Sequence, residues 1–147
     1  MVANPASLAR VLAKCRTVAV VGASKNPWKD AYRVPRYLKD QGYRIVPVNP
    51  TTDKIMDEAA YPSLLEIPEE LARTVDVVEV FRPSEELPQV ARQAAEMKRR
   101  YGRPFVFWAQ LGLENDEAAR ILEGSGIRCV MDACMRTVHQ LYVRKAS

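Results

Sequence analysis

A chain of 147 residues has the length of one ordinary domain, and 48% hydrophobic against 27% charged residues are globular proportions that exclude disordered and fibrous classes. The net charge is +4, with the cations scattered among acidic residues, which speaks against a nucleic-acid partner. No stretch approaches the roughly 20 apolar residues that span a bilayer, and the N-terminus carries no cleavage signature, so a cytoplasmic protein without membrane contact is expected. The three cysteines, Cys15, Cys129 and Cys134, match no disulfide framework and are expected to be reduced. With a single histidine, His139, no metal site is expected.

Helix and strand signals alternate from end to end. Asn4-Pro5 pairs an N-cap with a first-turn proline, and Leu8, Val11, Leu12 and Cys15 recur at helical spacing, predicting a helix within residues 1–16. Thr17 to Val21 is a β-branched apolar run closed by Gly22, a buried strand. A helix around Val34 to Gln41 stops at Gly42, and a second strand, Arg44 to Val48, ends at Asn49-Pro50. Thr51 to Ala72 reads as a surface excursion with one short helix. The third strand, Asp76 to Phe81, is ended by Arg82-Pro83, and Ser84 is expected to cap a long helix bearing Leu87, Val90, Ala91, Ala94 and Met97 and closing at Gly102. Lys98, Arg99, Arg100 and Arg103 fall at that helix end, where cations offset the dipole. A fourth strand, Phe105 to Ala109, precedes Gln110-Leu111-Gly112, and a helix follows at Asn115 to Leu122. The fifth strand spans Ile127 to Met131, and Asp132 is expected to cap a last helix carrying Val138, Leu141 and Tyr142.

Apolar strands separated by helices predict an α/β fold: a single Rossmann-like doubly wound domain, its five-stranded, mainly parallel sheet covered by helices on both faces. The simplest strand order with right-handed crossovers is 3-2-1-4-5, reversing between strands 1 and 4. Ligands bind beyond the carboxyl ends of the strands at such a reversal, which places the expected site at the loops Gly22 to Lys29 and Gln110 to Asn115. No repeat or linker divides residues 1–147, so one domain suffices.

The turn after the first strand reads Val21-Gly22-Ala23-Ser24. Gly22 can take a positive φ, Ala23 and Ser24 are small, and their backbone N–H groups can approach an anion closely. Lys25, Lys29 and Arg33 add positive charge nearby. A strand-to-helix turn also carries glycine for packing alone, so the turn by itself does not decide between the two uses. The three-glycine dinucleotide fingerprint is incomplete, and the second strand ends in Asn49-Pro50 where an NAD site has a carboxylate. Both observations disfavour NAD.

The chain resembles the CoA-binding protein family related to the amino-terminal CoA-binding domain of the succinyl-CoA synthetase alpha subunit. The resemblance is carried by Val18 to Ser24, Tyr32-Arg33-Val34, Gly42 to Pro50, Tyr61-Pro62-Ser63-Leu64, Val77 to Arg82, Leu111-Gly112 and Val130-Met131-Asp132, running from about residue 17 to 139. It implies that the Gly22-Ala23-Ser24 turn receives the diphosphate of coenzyme A at the next helix's positive end. It further implies that Asn49 and Pro50 flank the adenosine, with Phe81, Arg82 and Pro83 as the opposite wall. Arg82 or Lys54 would take the ribose 3′-phosphate, and the pantetheine arm would run toward Gln110-Leu111-Gly112. The synthetase itself needs a second domain with a phosphorylated histidine and a nucleotide-grasp partner subunit, and this chain has room for neither.

The expected function is therefore a small CoA-binding protein for CoA or an acyl-CoA, without catalysis of its own and with a protein partner or homo-oligomer as open possibilities. The alternative is an NADP-dependent oxidoreductase or redox sensor, with Arg82 or Lys54 on a 2′-phosphate. His139 reads as a surface or helix-end residue, Cys129 as core and Trp108 as packing. Trp28 is undecided, and Cys134 is the candidate for exchange with a pantetheine thiol, given an accessible thiolate.

Overall fold

In the computed structural model, which describes residues 4–143, the chain runs α1 (Pro5–Lys14), β1 (Thr17–Val21), α2 (Asp30–Asp40), β2 (Arg44–Val48), a hairpin of β3 (Lys54–Ile55) and β4 (Glu58–Ala59), α3 (Glu69–Ala72), β5 (Val77–Val80), α4 (Leu87–Tyr101), β6 (Val106–Ala109), α5 (Asp116–Gly124), β7 (Arg128–Val130) and α6 (Met135–Val138). A π-helical turn, His139–Val143, continues α6. Asn4 caps α1 as its chemistry predicts, its Oδ1 accepting from the Ala6 N–H at 2.8 Å. Gly102 closes α4 in the left-handed conformation.

Five parallel strands form the central sheet in the order β2-β1-β5-β6-β7. Counting these five alone, the order is 2-1-3-4-5, not the expected 3-2-1-4-5, because β5 inserts between β1 and β6. Two features of the sequence account for this. Pro47 lies within β2 and has no N–H for a second ladder, so β2 belongs at an edge. Val77, Val78, Glu79 and Val80 of β5 are all fully buried, as a central strand requires. The reversal therefore falls between β1 and β5, and the crevice it opens is walled by the loop after Val80, not by Gln110 to Asn115.

Alternation along the strands feeds two cores. Ala19, Val21, Val46, Val78, Val80 and Phe107 pack beneath α4 and α5, whereas Val18, Val20, Ile45, Val77 and Trp108 pack beneath α1, α2 and α6. Trp108 is fully buried, with its indole N–H on the Ala133 carbonyl at 2.8 Å, so it serves packing. At the opposite, amino end of the sheet, Asp76 Oδ2 accepts from the N–H groups of Arg16 (2.8 Å) and Thr17 (3.1 Å), and Oδ1 from Arg103 Nη1 (2.8 Å). Asp76→Ala removes this three-way tie between β1, β5 and the loop before β6. It should lower stability by about 3 kcal/mol in chemical denaturation, since buried charge-assisted bonds leave their partners unsatisfied when broken.

Local expectations are revised at five places. α2 begins at Asp30 and carries Pro35 in its interior. Asp132 does not cap α6: it has φ +57, and its carboxylate accepts the Gly112 N–H at 2.6 Å. Ser84 makes no side-chain cap to α4; a 3₁₀ turn, Ser84–Glu86, precedes that helix, and the Ser84 hydroxyl accepts the Glu114 N–H at 3.1 Å. His139 is buried, with Nδ1 2.7 Å from the Tyr37 hydroxyl. The 51–72 segment is more than a surface excursion, because Ile55, Leu64, Ile67 and Ala72 are buried. Tyr61 also bridges to Val48 and covers the outer edge of β2.

Candidate functional site

The turn after β1 is built by three separate constraints. Gly22 sits at φ +86, and a Cβ there would lie 2.9 Å from both the Phe81 carbonyl oxygen and Arg82 Cδ. Its N–H continues the ladder to the Val48 carbonyl at 3.0 Å. The Ser24 N–H donates to the Ala31 carbonyl at 3.2 Å, an acceptor that the residue four positions on would normally occupy. That residue is Pro35, which has no N–H. A proline inside α2 thus frees the carbonyl that pins the turn against the helix.

Asn49 supplies the third constraint. Its Nδ2 donates to the Ala23 carbonyl at 2.9 Å, while its Oδ1 accepts from the Thr51 N–H and hydroxyl, both at 2.7 Å. Both ends of the amide are thereby engaged in tying β2's exit to the glycine turn. Its part is to shape the site. The Gly22 and Ser24 amides are likewise engaged internally, leaving those of Ala23 and Lys25 outside the turn's own hydrogen bonds.

Beside the turn lies a cleft of about 390 Å³, in which Gly22, Asn49, Pro50 and Arg82 come together as expected. Arg82 is held there by Glu86, through Nε (3.1 Å) and Nη2 (2.8 Å). Lys25 and Lys54 line a separate depression with Tyr32 and Arg36. Phe81 and Gln110 line a third, of about 440 Å³, with Lys29, Asp30 and Cys134. The remaining expected residues lie outside these hollows. Arg33 is exposed and pairs with Asp30 at 3.4 Å, Pro83 leads into the 3₁₀ turn, and Gly112 serves a loop turn at φ +85. Trp28 is 81% exposed.

Sequence reasoning missed the cleft's far wall, Thr51, Pro62, Ser63, Glu86, Gln89 and Gln93. Gln89 and Gln93, an i, i+4 polar pair beside Val90 in α4, carried a usable signal. The 61–63 segment carried the family resemblance but no local pattern that places it at the cleft, since its pairing with β2 brings it there.

Electrostatics single out one thiol. Burial pushes Cys15 up to about 12 and raises Cys129 as well. Burial acts upward on Cys134 too, but hydrogen bonds from the Thr137 backbone and hydroxyl, Gln110 and the Arg136 N–H outweigh it and hold this thiol below its ordinary value. Glu79, fully buried on β5, is pushed well above the usual carboxylate range, first by desolvation and then by Cys134.

A doubly wound parallel sheet with a glycine turn and a cleft at its reversal defines a Rossmann-like architecture. Residues 16–140 match the CoA binding domain family, and the chain belongs to that family. It is 39% identical over 138 residues to Bacillus subtilis (strain 168) "Uncharacterized protein YneT", covering 92% of this chain and 96% of that one. It is 37% identical over 83 residues to Archaeoglobus fulgidus acetate–CoA ligase [ADP-forming] II, a stretch that is 55% of this chain and 12% of the ligase. Among solved structures, cell-free ID.343 from Thermus thermophilus superposes with a TM-score of 0.82 at 35% identity, covering 94% of this chain and 98% of that one. Among the described residues no helix is long and apolar enough to cross a membrane.

Proposed function

We propose that this protein binds coenzyme A or an acyl-CoA along the carboxyl edge of its sheet and acts as a holder of that ligand without catalytic turnover. The observation that carries the reading is the cleft in which Gly22, Pro50 and Arg82 converge, with no carboxylate at the end of β2 to accept the hydroxyls of an NAD ribose. The adenosine lies in this cleft against Pro50, and the diphosphate lies at the Ala23 and Lys25 amides before α2. Arg82 meets the ribose 3′-phosphate by exchanging its exposed pairing with Glu86, a bond of small net value. Lys54, in the neighbouring depression, is the less suitable partner. The pantetheine arm passes Phe81 toward Gln110.

Ligand that binds only the folded state must raise apparent stability. CoA is therefore expected to produce a saturable thermal upshift, and NADPH at equal concentration none; the reverse ranking would favour the oxidoreductase alternative. Arg82→Ala should weaken CoA roughly tenfold, the scale of one charge-assisted hydrogen bond, and leave dephospho-CoA nearly unchanged. Equal losses for both ligands would remove Arg82 from the 3′-phosphate.

A further inference from the structure

The third depression, holding Gln110 and Cys134, lies along the same sheet edge as the adenosine cleft. The two share the exit of β5: Arg82 lines one and Phe81 the other. A ligand with its adenosine beside Arg82 and its phosphates at the glycine turn brings its far end into this depression. The far end of CoA is a thiol, and the thiol already there is Cys134.

Geometry separates Cys134 from the other cysteines. Cys15 is buried and donates its thiol to the Val11 carbonyl at 3.1 Å, and Cys129 packs against the core on the other face of the sheet. Cys134 is half-buried and lines the depression together with Gln110, Arg136 and Thr137, polar neighbours that favour a thiolate. A second, independent feature lies on the same face of the sheet. Among the described residues, Glu79 is the one side chain whose polar atoms are wholly shut off from solvent without a hydrogen-bond partner. Val78 and Val80 point to the opposite core, so Glu79 points to the face on which Trp108 and Cys134 pack. A buried carboxyl without a partner calls for an explanation, and Glu79 shares its face of the sheet with Cys134.

We propose that Cys134 captures CoA covalently, by thiol–disulfide exchange with a CoA-containing disulfide, and holds it as a mixed disulfide at the carboxyl edge. This inference rests on the CoA reading above. The Cys134 thiolate attacks the CoA-side sulfur, and a new S–S bond forms. The old S–S bond breaks with its electron pair leaving on the second thiol, which takes up the proton that Cys134 gave up. The oxidising equivalent arrives in the disulfide itself, so no other oxidant is needed. Capture is stoichiometric, one CoA per chain, and an external thiol reverses it.

The test is intact-mass spectrometry under non-reducing conditions after incubation with CoA disulfide, alongside CoA thermal shifts of the same proteins. Expected is one reducible CoA adduct per chain, mapped to Cys134, retained in Cys15→Ser and Cys129→Ser and lost in Cys134→Ser. Binding places the disulfide beside the sulfur, so CoA disulfide should react at least about tenfold faster than glutathione disulfide at equal concentration. Equal rates, or an adduct on another cysteine, would overturn covalent capture. No adduct with an intact CoA thermal shift would also overturn it while leaving the CoA reading standing. Loss of the thermal shift in wild-type protein would instead remove the CoA reading itself.

Discussion

Replacing Glu79 with leucine should make this protein more stable, and most so at neutral pH. The Glu79 carboxyl is fully buried between strands and has no hydrogen-bond partner, a situation that costs about 1–3 kcal/mol in other folds. Desolvation raises its folded pKa above the 4.5 of an ordinary glutamate. The sign follows from linkage: below 4.5 both folded and unfolded chains hold the proton. As pH rises from there toward the folded pKa, the unfolded chain releases the proton first and gains stability at about 1.4 kcal/mol per pH unit. The wild type should therefore lose stability between mildly acidic and neutral pH. Glu79→Gln, which cannot ionise, should remove that part of the slope, and Glu79→Leu should also remove the unpaired polar group. A Tm gain on the order of 5 °C at pH 7 is expected for Glu79→Leu. Thermal melts of the three proteins at pH 5, 6, 7 and 8 check this. Parallel pH profiles for wild type and Glu79→Gln would show that Glu79 does not ionise with a raised pKa.

Gly22→Ala should destabilise the fold by roughly 2–3 kcal/mol and abolish CoA binding. A side chain at φ +86 is strained, and the added Cβ meets the Phe81 carbonyl oxygen at 2.9 Å, a backbone atom that cannot rotate away. Relief requires β1 and β5 to separate at the crevice where the ligand lies. Gly112→Ala is the matched control: its φ is +85, yet nothing lies within 4 Å of the added Cβ. It should cost only the backbone strain of about 1 kcal/mol and keep CoA affinity. Denaturation curves and CoA titrations of both variants separate the roles. Similar losses of affinity in the two would mean that strain, not the close approach at the crevice, governs binding.

The sequence made the first two strands legible to the residue. Thr17–Val21 and Arg44–Val48 are apolar runs punctuated by Gly22 and by Asn49-Pro50, and such local signals do not depend on what packs against them. Strand order is another matter, because periodicity says which face is buried but not which strand lies alongside. The clue was Pro47, whose missing N–H confines β2 to an edge. The site divides the same way. Gly22, Pro50 and Arg82 sit at strand ends and were identifiable there, whereas Pro62 and Ser63 reach the cleft through the pairing of Tyr61 with β2. The pin from Ser24 to Ala31 was hidden for a subtler reason: Pro35 reads as a helix breaker until its freed carbonyl is traced to the turn.

The most direct measurement is an amide NMR titration of the ¹⁵N-labelled protein with CoA. Saturable shifts are expected at Gly22, Ala23, Ser24 and Lys25, at Thr51 and Arg82, and at Gln110 and Cys134. Residues Ala95 to Arg100, at the far end of α4, should remain still. Absence of shifts at saturating CoA, or shifts confined to the α4–α5 surface, would contradict a CoA site at the carboxyl edge of this sheet.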